Sequence, residues 1–260
     1  MMDITLTDDE LDHRIKHITS FIESQCVEAG VDGVVLGVSG GIDSSTTAGL
    51  ASMAIGPSNV KALILPAAPT TDRSVDLAWD VAQSFELQAE QVDMEPIVNS
   101  VADIYPGEPG KTSLGNVRAR VRAVYWYLIA NEESRLVLGG GNRTEWLTGY
   151  FTKHGDIAVD CLPLGNLYKG QVRQIAAHIG VPETVVKRTP TAELWEDQTD
   201  EAELGIDYDT LDAIIAMYVD GGQSRHETIE QLGIDEFLLD RVEALIEESA
   251  HKRRLPPTPD

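Results

Sequence analysis

The stretch VSGGIDSS, residues 38–45, places two glycines, one carboxylate and three hydroxyl groups within eight positions. Glycine has no Cβ, so phosphate oxygens could approach the backbone N–H groups of Gly40 and Gly41 directly. A helix following the turn would add the partial positive charge of its N-terminus. Asp43 would repel a bare phosphate, so its presence indicates a bridging Mg²⁺. The turn therefore predicts a site for a polyphosphate and its metal ion.

Two other interpretations of this turn are weaker. No lysine follows the glycines, so the turn is not the GxxxxGK[ST] loop of kinases and GTPases. A plain tight turn, with Asp43 and Ser44 capping the next helix, is the structural alternative. The complete SGGxDS string after an apolar run favours the phosphate site.

Apolar runs of strand length alternate with helix-length segments along the chain. Strands are predicted at 34–38, 60–65, 88–93 and 135–139. Helices are predicted at 44–55, 72–85, 95–104, 116–131, 168–179, 207–219, 224–232 and 235–251. An opening helix is marked by the spacing of Leu11, Ile15, Ile18 and Ile22. This alternation predicts one α/β domain over residues 1–260, a single doubly wound parallel sheet with helices on both faces.

Two glycine turns follow predicted strands, one after Val38 and one, Gly139–Gly141, after Leu138. Ligands of doubly wound sheets bind outside the carboxyl ends of the strands. The two turns therefore predict one shared site.

The composition limits the classes of partner. The chain has 260 residues and a net charge of −23, spread from Asp8 to Asp260. Such a surface repels nucleic acid, and scattered acidity favours a salt-rich cytoplasm over a basic partner. No apolar run has the length of a membrane span or the pattern of a secretory signal. The two cysteines, Cys26 and Cys161, form no disulfide framework. We expect a cytoplasmic, salt-requiring protein that binds neither nucleic acid nor membranes.

The SGGIDSS string resembles the pyrophosphate loop of the N-type ATP pyrophosphatases, which have the adenine nucleotide alpha hydrolase-like fold. Five later segments resemble, in order, the ammonia-using archaeal branch of the NAD synthetases. They are GNVRAR (115–120), TEWLTGYFTKHGD (144–156), DCLPLGNLYK (160–169), PTAELWEDQTDEAELG (190–205) and HKR (251–253). The resemblance runs from about residue 10 to the end of the chain.

The resemblance implies the amidation of deamido-NAD to NAD⁺ by ammonia, with ATP as co-substrate and Mg²⁺ as cofactor. The nicotinate carboxylate would attack the α phosphorus, giving an acyl adenylate and pyrophosphate. Ammonia would then attack the acyl carbon and release AMP. Glutamine-using relatives carry an amidase domain for which this chain has no room, so we expect free ammonia or a separate amidase. The family also implies a homodimer whose substrate site spans the interface.

The resemblance assigns roles to individual residues. The metal ligands would be Asp43 and Glu145. The contacts to ATP and pyrophosphate would be Ser39, Gly40, Gly41, Ile42, Asp43, Ser44, Ser45, Lys169 and Thr191. The contacts to deamido-NAD would be Asn116, Arg120, Tyr127, Lys153, Asp160, His251 and Lys252. The catalytic residues would be Asp43, Lys169, Asp156 and Asp160. Gly140 stands where the bacterial pattern has threonine. Independently of the resemblance, the loop-like segments 106–115 and 190–203 are candidate lids.

The residues themselves allow plainer alternatives. The stripe Arg118, Arg120 and Arg122 suits a dinucleotide phosphate, but it could be a solvated face with ion pairs. Glu145 could be an early-turn acid favoured by a helix dipole. Tyr127 has a core-like setting, and Lys153 and Lys169 could lie on the surface. His154 resembles a general base, but a plain loop histidine is the better explanation.

Two other functions stay open at this point. In a tRNA thiolation enzyme we would expect reactive cysteines or a basic RNA-binding extension, and the sequence shows no sign of either. A nucleotide sensor without turnover could lose Asp43, Glu145 and Lys169, and all three are present.

Overall fold

The sheet has four parallel strands in the order β3-β2-β1-β4, in a computed structural model that describes residues 4–195 and 198–259. The strands are β1 (Gly33–Gly37), β2 (Val60–Ile64), β3 (Gln88–Gln91) and β4 (Arg135–Val137). The four predicted strands and their parallel pairing are confirmed.

The strand order reverses between β1 and β4, because the chain moves outward to β2 and β3 before it returns to the other side of β1. A crevice opens at such a switch point, at the carboxyl ends of the two strands. Both predicted glycine turns lie there, immediately after β1 and β4.

Twelve α-helices surround the sheet in the described part of the chain. They are α1 (Asp8–Ala29), α2 (Ile42–Ile55), α3 (Asp72–Ser84), α4 (Glu95–Asp103), α5 (Lys111–Glu133), α6 (Arg143–Thr148), α7 (Lys169–His178), α8 (Glu183–Val186), α9 (Asp200–Leu204), α10 (Tyr208–Ile214), α11 (Arg225–Leu232) and α12 (Glu236–Glu248). A π-helical segment, Ile215–Asp220, continues α10, and short 3₁₀ turns occur at Pro57–Asn59 and Ala250–Arg253.

Alternate strand residues pack against opposite helical layers. Val34 and Leu36 of β1 face a core shared with α1, α2, α3, α7 and α8, whereas Val35 faces a core shared with α4 and α5. All three are at most 1 % exposed, as expected for the central strand of a covered parallel sheet. The prediction of helices on both faces is confirmed.

Helix α1 has the predicted apolar face. Leu11, Ile15, Ile18 and Ile22 are all buried in the first of these cores. Thr7 and Glu10 form a capping box at the start of the helix, and Gly30 ends it in the left-handed conformation.

The C-terminal helices form a third cluster beside the sheet. Its core is made by α9, α10, the π-helical segment and α12, and it packs onto α6. Asp200 and Glu203 of α9, within this cluster, line the crevice. The extent of the domain, residues 1–260, stays a prediction.

Several predicted boundaries were wrong. Helix α5 begins at Lys111 rather than 116, because the Gly- and Pro-rich signal ends at Gly110, so residues 111–115 of the predicted lid are helical. Helices α6, α8 and α9 were not predicted, since four to six residues are too few for a periodic pattern. The predicted helix 207–219 divides at Ile215, and α12 ends at Glu248.

None of the helices in residues 4–195 and 198–259 combines the length and the apolar character that crossing a membrane requires.

Candidate active site

A cavity of about 420 Å³ lies at the carboxyl ends of β1 and β2, within the range typical of small-molecule sites. Its wall includes the glycine turn, the residues that follow β2, one face of α5 and the segment 188–195. Both glycine turns therefore line one cavity, as the sequence predicted, and its role as a ligand site stays a prediction.

The first glycine turn is fixed by its own backbone and by serine hydroxyls. Gly40 has φ of 74°, and a Cβ there would lie 2.5 Å from the backbone oxygen of Ser74. The Ser39 amide donates to the Ser44 hydroxyl at 3.1 Å, and the two hydroxyls lie 3.0 Å apart. The close approach of α3 explains why this position takes glycine.

Helix α2 begins at Ile42, two residues before the predicted start, with Gly41 as its N-cap. In the part of the chain that the structure describes, no side chain caps this first turn. Backbone N–H groups at such an end are donors suited to phosphate oxygens. Ile42, Asp43 and Ser44 line the cavity, whereas Ser45 is fully buried and donates its hydroxyl to the Gly41 carbonyl at 2.7 Å.

Lys169, the first residue of α7, joins the two predicted metal ligands. Its Nζ lies 2.6 Å from Asp43 Oδ2 and 2.7 Å from Glu145 Oε1. The Lys169 side chain is 2 % exposed, and its Nζ lies 4.9 Å from the centre of the Tyr208 ring. The surface alternative for Lys169 is therefore excluded by its burial.

The charges of this cluster depend on one another. Burial acts to lower the pKa of Lys169, but the charges of Asp43 and Glu145 outweigh it, so the pKa is raised. Burial raises the pKa of Glu145, the Asp43 charge raises it further, and Lys169 offsets part of that increase.

The donor set fits a divalent cation that also binds phosphate. Asp43 and Glu145 converge on one point, held by the ammonium group of Lys169. Among residues 4–195 and 198–259, no group of three or more His, Cys, Asp or Glu side chains is arranged to hold a metal ion. Mg²⁺ commonly takes one or two carboxylates and completes its shell with water and substrate phosphates, and two converging carboxylates meet that requirement.

Asn142 was missed by the sequence reasoning. It is the N-cap of α6, where its Oδ1 accepts from the Glu145 amide at 3.0 Å. Its Nδ2 donates to Asp43 Oδ1 at 2.8 Å, so one side chain ties both predicted metal ligands together. The pattern Asn142-x-x-Glu145 is a recognisable helix start and could have indicated this role.

Asp156 and Asn116 lie on the α5 side of the cavity. Asp156 is accessible from within it and accepts from the Thr152 amide at 2.8 Å. The Thr152 hydroxyl donates to Asn116 Oδ1, also at 2.8 Å. Desolvation by the surrounding protein raises the pKa of Asp156.

Within the arginine stripe, Arg122 is the cavity residue. Its Nε donates to the Leu65 carbonyl at 2.9 Å. Burial, with a contribution from the charge of Arg118, lowers the pKa of Arg122 to about 10, so the guanidinium remains charged at neutral pH.

Five predicted deamido-NAD contacts, Arg120, Tyr127, Lys153, Asp160 and His251, do not line this cavity, and hydrogen bonds join them in two groups. Tyr127 donates to Asp160 at 3.0 Å, Arg120 donates to the Lys153 carbonyl, and Lys153 donates to the His251 carbonyl at 2.9 Å. Their binding roles stay predictions.

Lys252 does line the cavity. Its Nζ donates to the Gly149 and Phe151 carbonyls at 2.7 and 2.9 Å.

The segment 188–195 closes one side of the cavity. Arg188 donates to the Gly40 carbonyl and to the Ser74 hydroxyl, and it pairs with Glu193 at 2.5 Å. The Ser74 hydroxyl donates to Glu193 at 2.7 Å. Thr191 donates to the Gln198 carbonyl at 2.6 Å. Residues 196–197 of the predicted lid 190–203 lie outside the described residues.

Gly140 of the second turn lies against the start of α2. A Cβ there would be 3.3 Å from the Ser44 amide nitrogen, so a side chain would have to displace the phosphate-facing turn slightly. Gly140, which stands where the bacterial pattern has threonine, therefore lies close to the backbone of Ser44.

The model of the family described as NAD synthase matches residues 14–256, and those residues include every element of the cavity. The chain belongs to the NAD synthase family. Its resemblance to the ammonia-using archaeal branch is confirmed by a curated NH₃-dependent NAD⁺ synthetase of Halobacterium salinarum. That relative is 46 % identical over 259 residues, which cover 99 % of this chain and 97 % of the relative.

Two solved structures share the architecture. An NMN synthetase from Francisella tularensis superposes with a TM-score of 0.86 at 31 % identity, covering 96 % of this chain and 98 % of that one. An NH₃-dependent NAD synthetase from Campylobacter jejuni gives a TM-score of 0.81 at 24 % identity, covering 96 % and 99 %. The latter likeness supports the fold.

Proposed function

We propose that this member of the NAD synthase family catalyses the ATP-dependent amidation of deamido-NAD by ammonia, through an acyl adenylate. The arrangement that carries the proposal is Lys169 bridging Asp43 and Glu145 beside the uncapped start of α2. This arrangement places an ammonium group, backbone N–H donors and two carboxylates that would hold Mg²⁺ where a leaving pyrophosphate would need them.

The residues of the chain divide the work of the first step. The glycine turn and the first turn of α2 would hold the phosphates, and Lys169 would stabilise the charge that develops on pyrophosphate. Asp43 and Glu145 would hold Mg²⁺, which supplies further neutralisation of the phosphate charge when bound. The attacking carboxylate belongs to the substrate, so the chemistry requires no nucleophilic serine or cysteine.

The second step needs protection of the acyl adenylate from water and a site for ammonia. The segment 188–195 would act as the cover, since it is bonded to α3 and to the glycine turn. Asp156 would orient ammonium or accept its proton, because its carboxylate lines the cavity. Asp160 does not line the cavity, so it could act on the substrate only if the complete site includes a further surface besides this cavity.

We propose that a second copy of the chain makes that contribution, in a cytoplasmic homodimer. Val124 and Leu128 on α5 are 72 % and 52 % exposed, beside a shallow depression lined by Arg120, Tyr127 and His154. This apolar helix face lies next to predicted deamido-NAD contacts that are outside the cavity. It therefore supports a dimer whose substrate site spans the interface.

The function is tested by NAD⁺ formation from deamido-NAD, ATP, Mg²⁺ and ammonium in molar KCl, with Asp43→Ala beside the wild type. We expect AMP and pyrophosphate in equal amounts, and a loss of at least about a hundredfold in the variant. A mononucleotide acceptor is offered in parallel because the Francisella tularensis relative is an NMN synthetase. ATP binding without turnover on either acceptor would contradict the proposal and favour the sensor.

The homodimer is tested by light scattering of the wild type and Leu128→Asp. We expect a dimer that dissociates in the variant, because the substitution places a charge in an apolar contact. A monomeric wild type would overturn this part of the proposal. The matched control is Val27→Asp, which places the same charge at an exposed apolar residue of α1.

A further inference from the structure

Asp212 of α10 is a fully buried carboxylate that the proposed mechanism does not use. Its Oδ1 accepts from the Thr144 hydroxyl at 2.5 Å, and its Oδ2 accepts from the Gly170 amide at 2.7 Å. The Thr144 hydroxyl also accepts from the Lys169 amide at 3.2 Å. One carboxylate therefore holds the start of α7 both directly and through Thr144.

The two anchored backbones carry the two side chains that meet at the candidate metal site. Thr144 precedes Glu145 in α6, and Gly170 follows Lys169 in α7. The N-cap of α7 is Tyr168. Tyrosine lacks the short oxygen-bearing side chain that usually accepts a hydrogen bond from the backbone amides at a helix start. Asp212 takes that role from a helix more than forty residues later in the chain.

We infer that Asp212, acting through Thr144, is a positioning residue that sets the distance between the Lys169 ammonium and the Glu145 carboxylate. The inference rests on the proposed function for its chemical meaning. Lys169 Nζ and Glu145 Oε1 lie 2.7 Å apart, and a displacement of about 1 Å at a reacting centre can cost about a hundredfold in rate.

The hydrogen-bond pattern shows why neither partner is interchangeable. The Thr144 hydroxyl donates to Asp212 while it accepts from Lys169, so valine, of nearly the same shape, removes both bonds. In Asp212→Asn, the amide oxygen can face Gly170 only if the NH₂ group faces the Thr144 hydroxyl. The hydroxyl oxygen would then accept from that NH₂ group and its own proton would turn elsewhere, so a neutral bond replaces the charge-assisted link to α6.

The test compares Thr144→Val, Thr144→Ser and Asp212→Asn with the wild type. We expect Thr144→Val and Asp212→Asn to lower kcat about tenfold to a hundredfold, with KM for deamido-NAD and ammonia within about twofold. Thr144→Ser keeps the hydroxyl and should recover kcat to within about threefold. The double variant should lose no more than the worse single one, because both changes act on the same link between Asp212 and α6.

The matched control is Asp207→Asn at the start of α10. Asp207 also accepts from a backbone amide and a hydroxyl, those of Thr210, but it lies on the surface outside the cavity. We expect unchanged kcat for this variant. Equal loss in Asp207→Asn and Asp212→Asn, or a loss in Thr144→Val that matches its unfolded fraction at the assay temperature, would overturn the inference in favour of a stabilising role alone.

Calorimetric binding of Mg²⁺ with pyrophosphate separates this inference from the proposed function, since it needs no turnover. We expect Thr144→Val to weaken that binding about tenfold and Thr144→Ser to restore it, whichever acceptor the enzyme uses. Wild-type binding without turnover contradicts the proposed function. Unchanged binding in Thr144→Val, or wild-type protein that binds no pyrophosphate, contradicts the positioning role.

Discussion

At the scale of single residues, the cavity holds acidic groups with and without an ion-pair partner. Glu145 and Asp43 share one buried cation, Lys169, which offsets only part of the rise in the pKa of Glu145. Asp156 has a backbone amide from Thr152 as its hydrogen-bond donor and no ion pair among the described residues. Its raised pKa means that the folded protein carries an incompletely compensated charge, as functional sites often do.

That charge predicts a pH-dependent cost in stability. Because the folded pKa of Asp156 is raised, the folded state binds its proton more tightly than the unfolded state does. Stability from this group is full below the ordinary aspartate pKa and is lost as the pH rises through the folded pKa. Asp156→Asn keeps an acceptor for Thr152, so it should melt higher than the wild type at pH 7 and approach it as the pH falls towards 4. Thermal melting across this range is the measurement, and a constant difference would contradict the assignment.

At the scale of elements, the segment 188–195 is held to the glycine turn by polar contacts. Glu193 has φ of 46°, a left-handed conformation that costs a non-glycine residue free energy. Its carboxylate accepts from Arg188 and Ser74, and these bonds offset that cost. The segment is therefore closed by a small number of replaceable bonds, which suits a cover that must open for substrate.

Glu193→Gln should open this cover more often. The substitution removes the charge that pairs with Arg188, and charge-assisted bonds are worth about 1.5–3 kcal/mol. We expect cleavage of the segment by chymotrypsin, mapped by mass spectrometry, to become about tenfold faster. Glu183→Gln is the control, because Glu183 at the start of α8 forms an exposed ion pair with Lys187, the residue that ends this helix. Equal protease sensitivity of the two variants would show that Glu193 does not hold the segment.

At the scale of the whole molecule, the net charge of −23 dominates the surface. The basic residues that pair inside the structure, such as Lys169 and Arg188, are few compared with the acids that remain on the outside. Self-repulsion among scattered acids opposes the compact state, and it is screened over about 3 Å in molar salt. Stability should therefore depend on ionic strength.

We expect the melting temperature to rise by about 5 °C or more between 0.1 M and 2 M KCl at pH 7, since repulsion weakens as screening increases. The same comparison near the sequence pI of about 4.5 should give a smaller rise, because the net charge is then close to zero. Equal rises at both pH values would point to a general salt effect, and a wild type fully stable in dilute buffer would contradict the salt requirement.

The sequence by itself determined the features that depend on neighbouring residues. The SGGIDSS turn, the four strands and the buried face of α1 follow from glycine placement and from apolar periods of a few positions. The prediction of Glu145 and Lys169 as site residues depends on the resemblance of whole segments to a family, whereas that of Asp43 also follows from the turn itself. Short helices such as α6 were not predicted, because six residues are too few to show a helical period.

The tertiary structure decided which of these residues meet. Lys169 reaches Asp43 across 126 positions, and Asp212 reaches Thr144 across 68. Neither contact leaves a local pattern, because it depends on the order in which the strands pair and on how α6, α7 and α10 pack. The structure likewise separated Arg120, Tyr127 and Asp160 from the cavity, since they lie on the far side of α5. Local spacing fixes the elements through bonds between near neighbours, whereas the site is made by packing between elements that are distant along the chain.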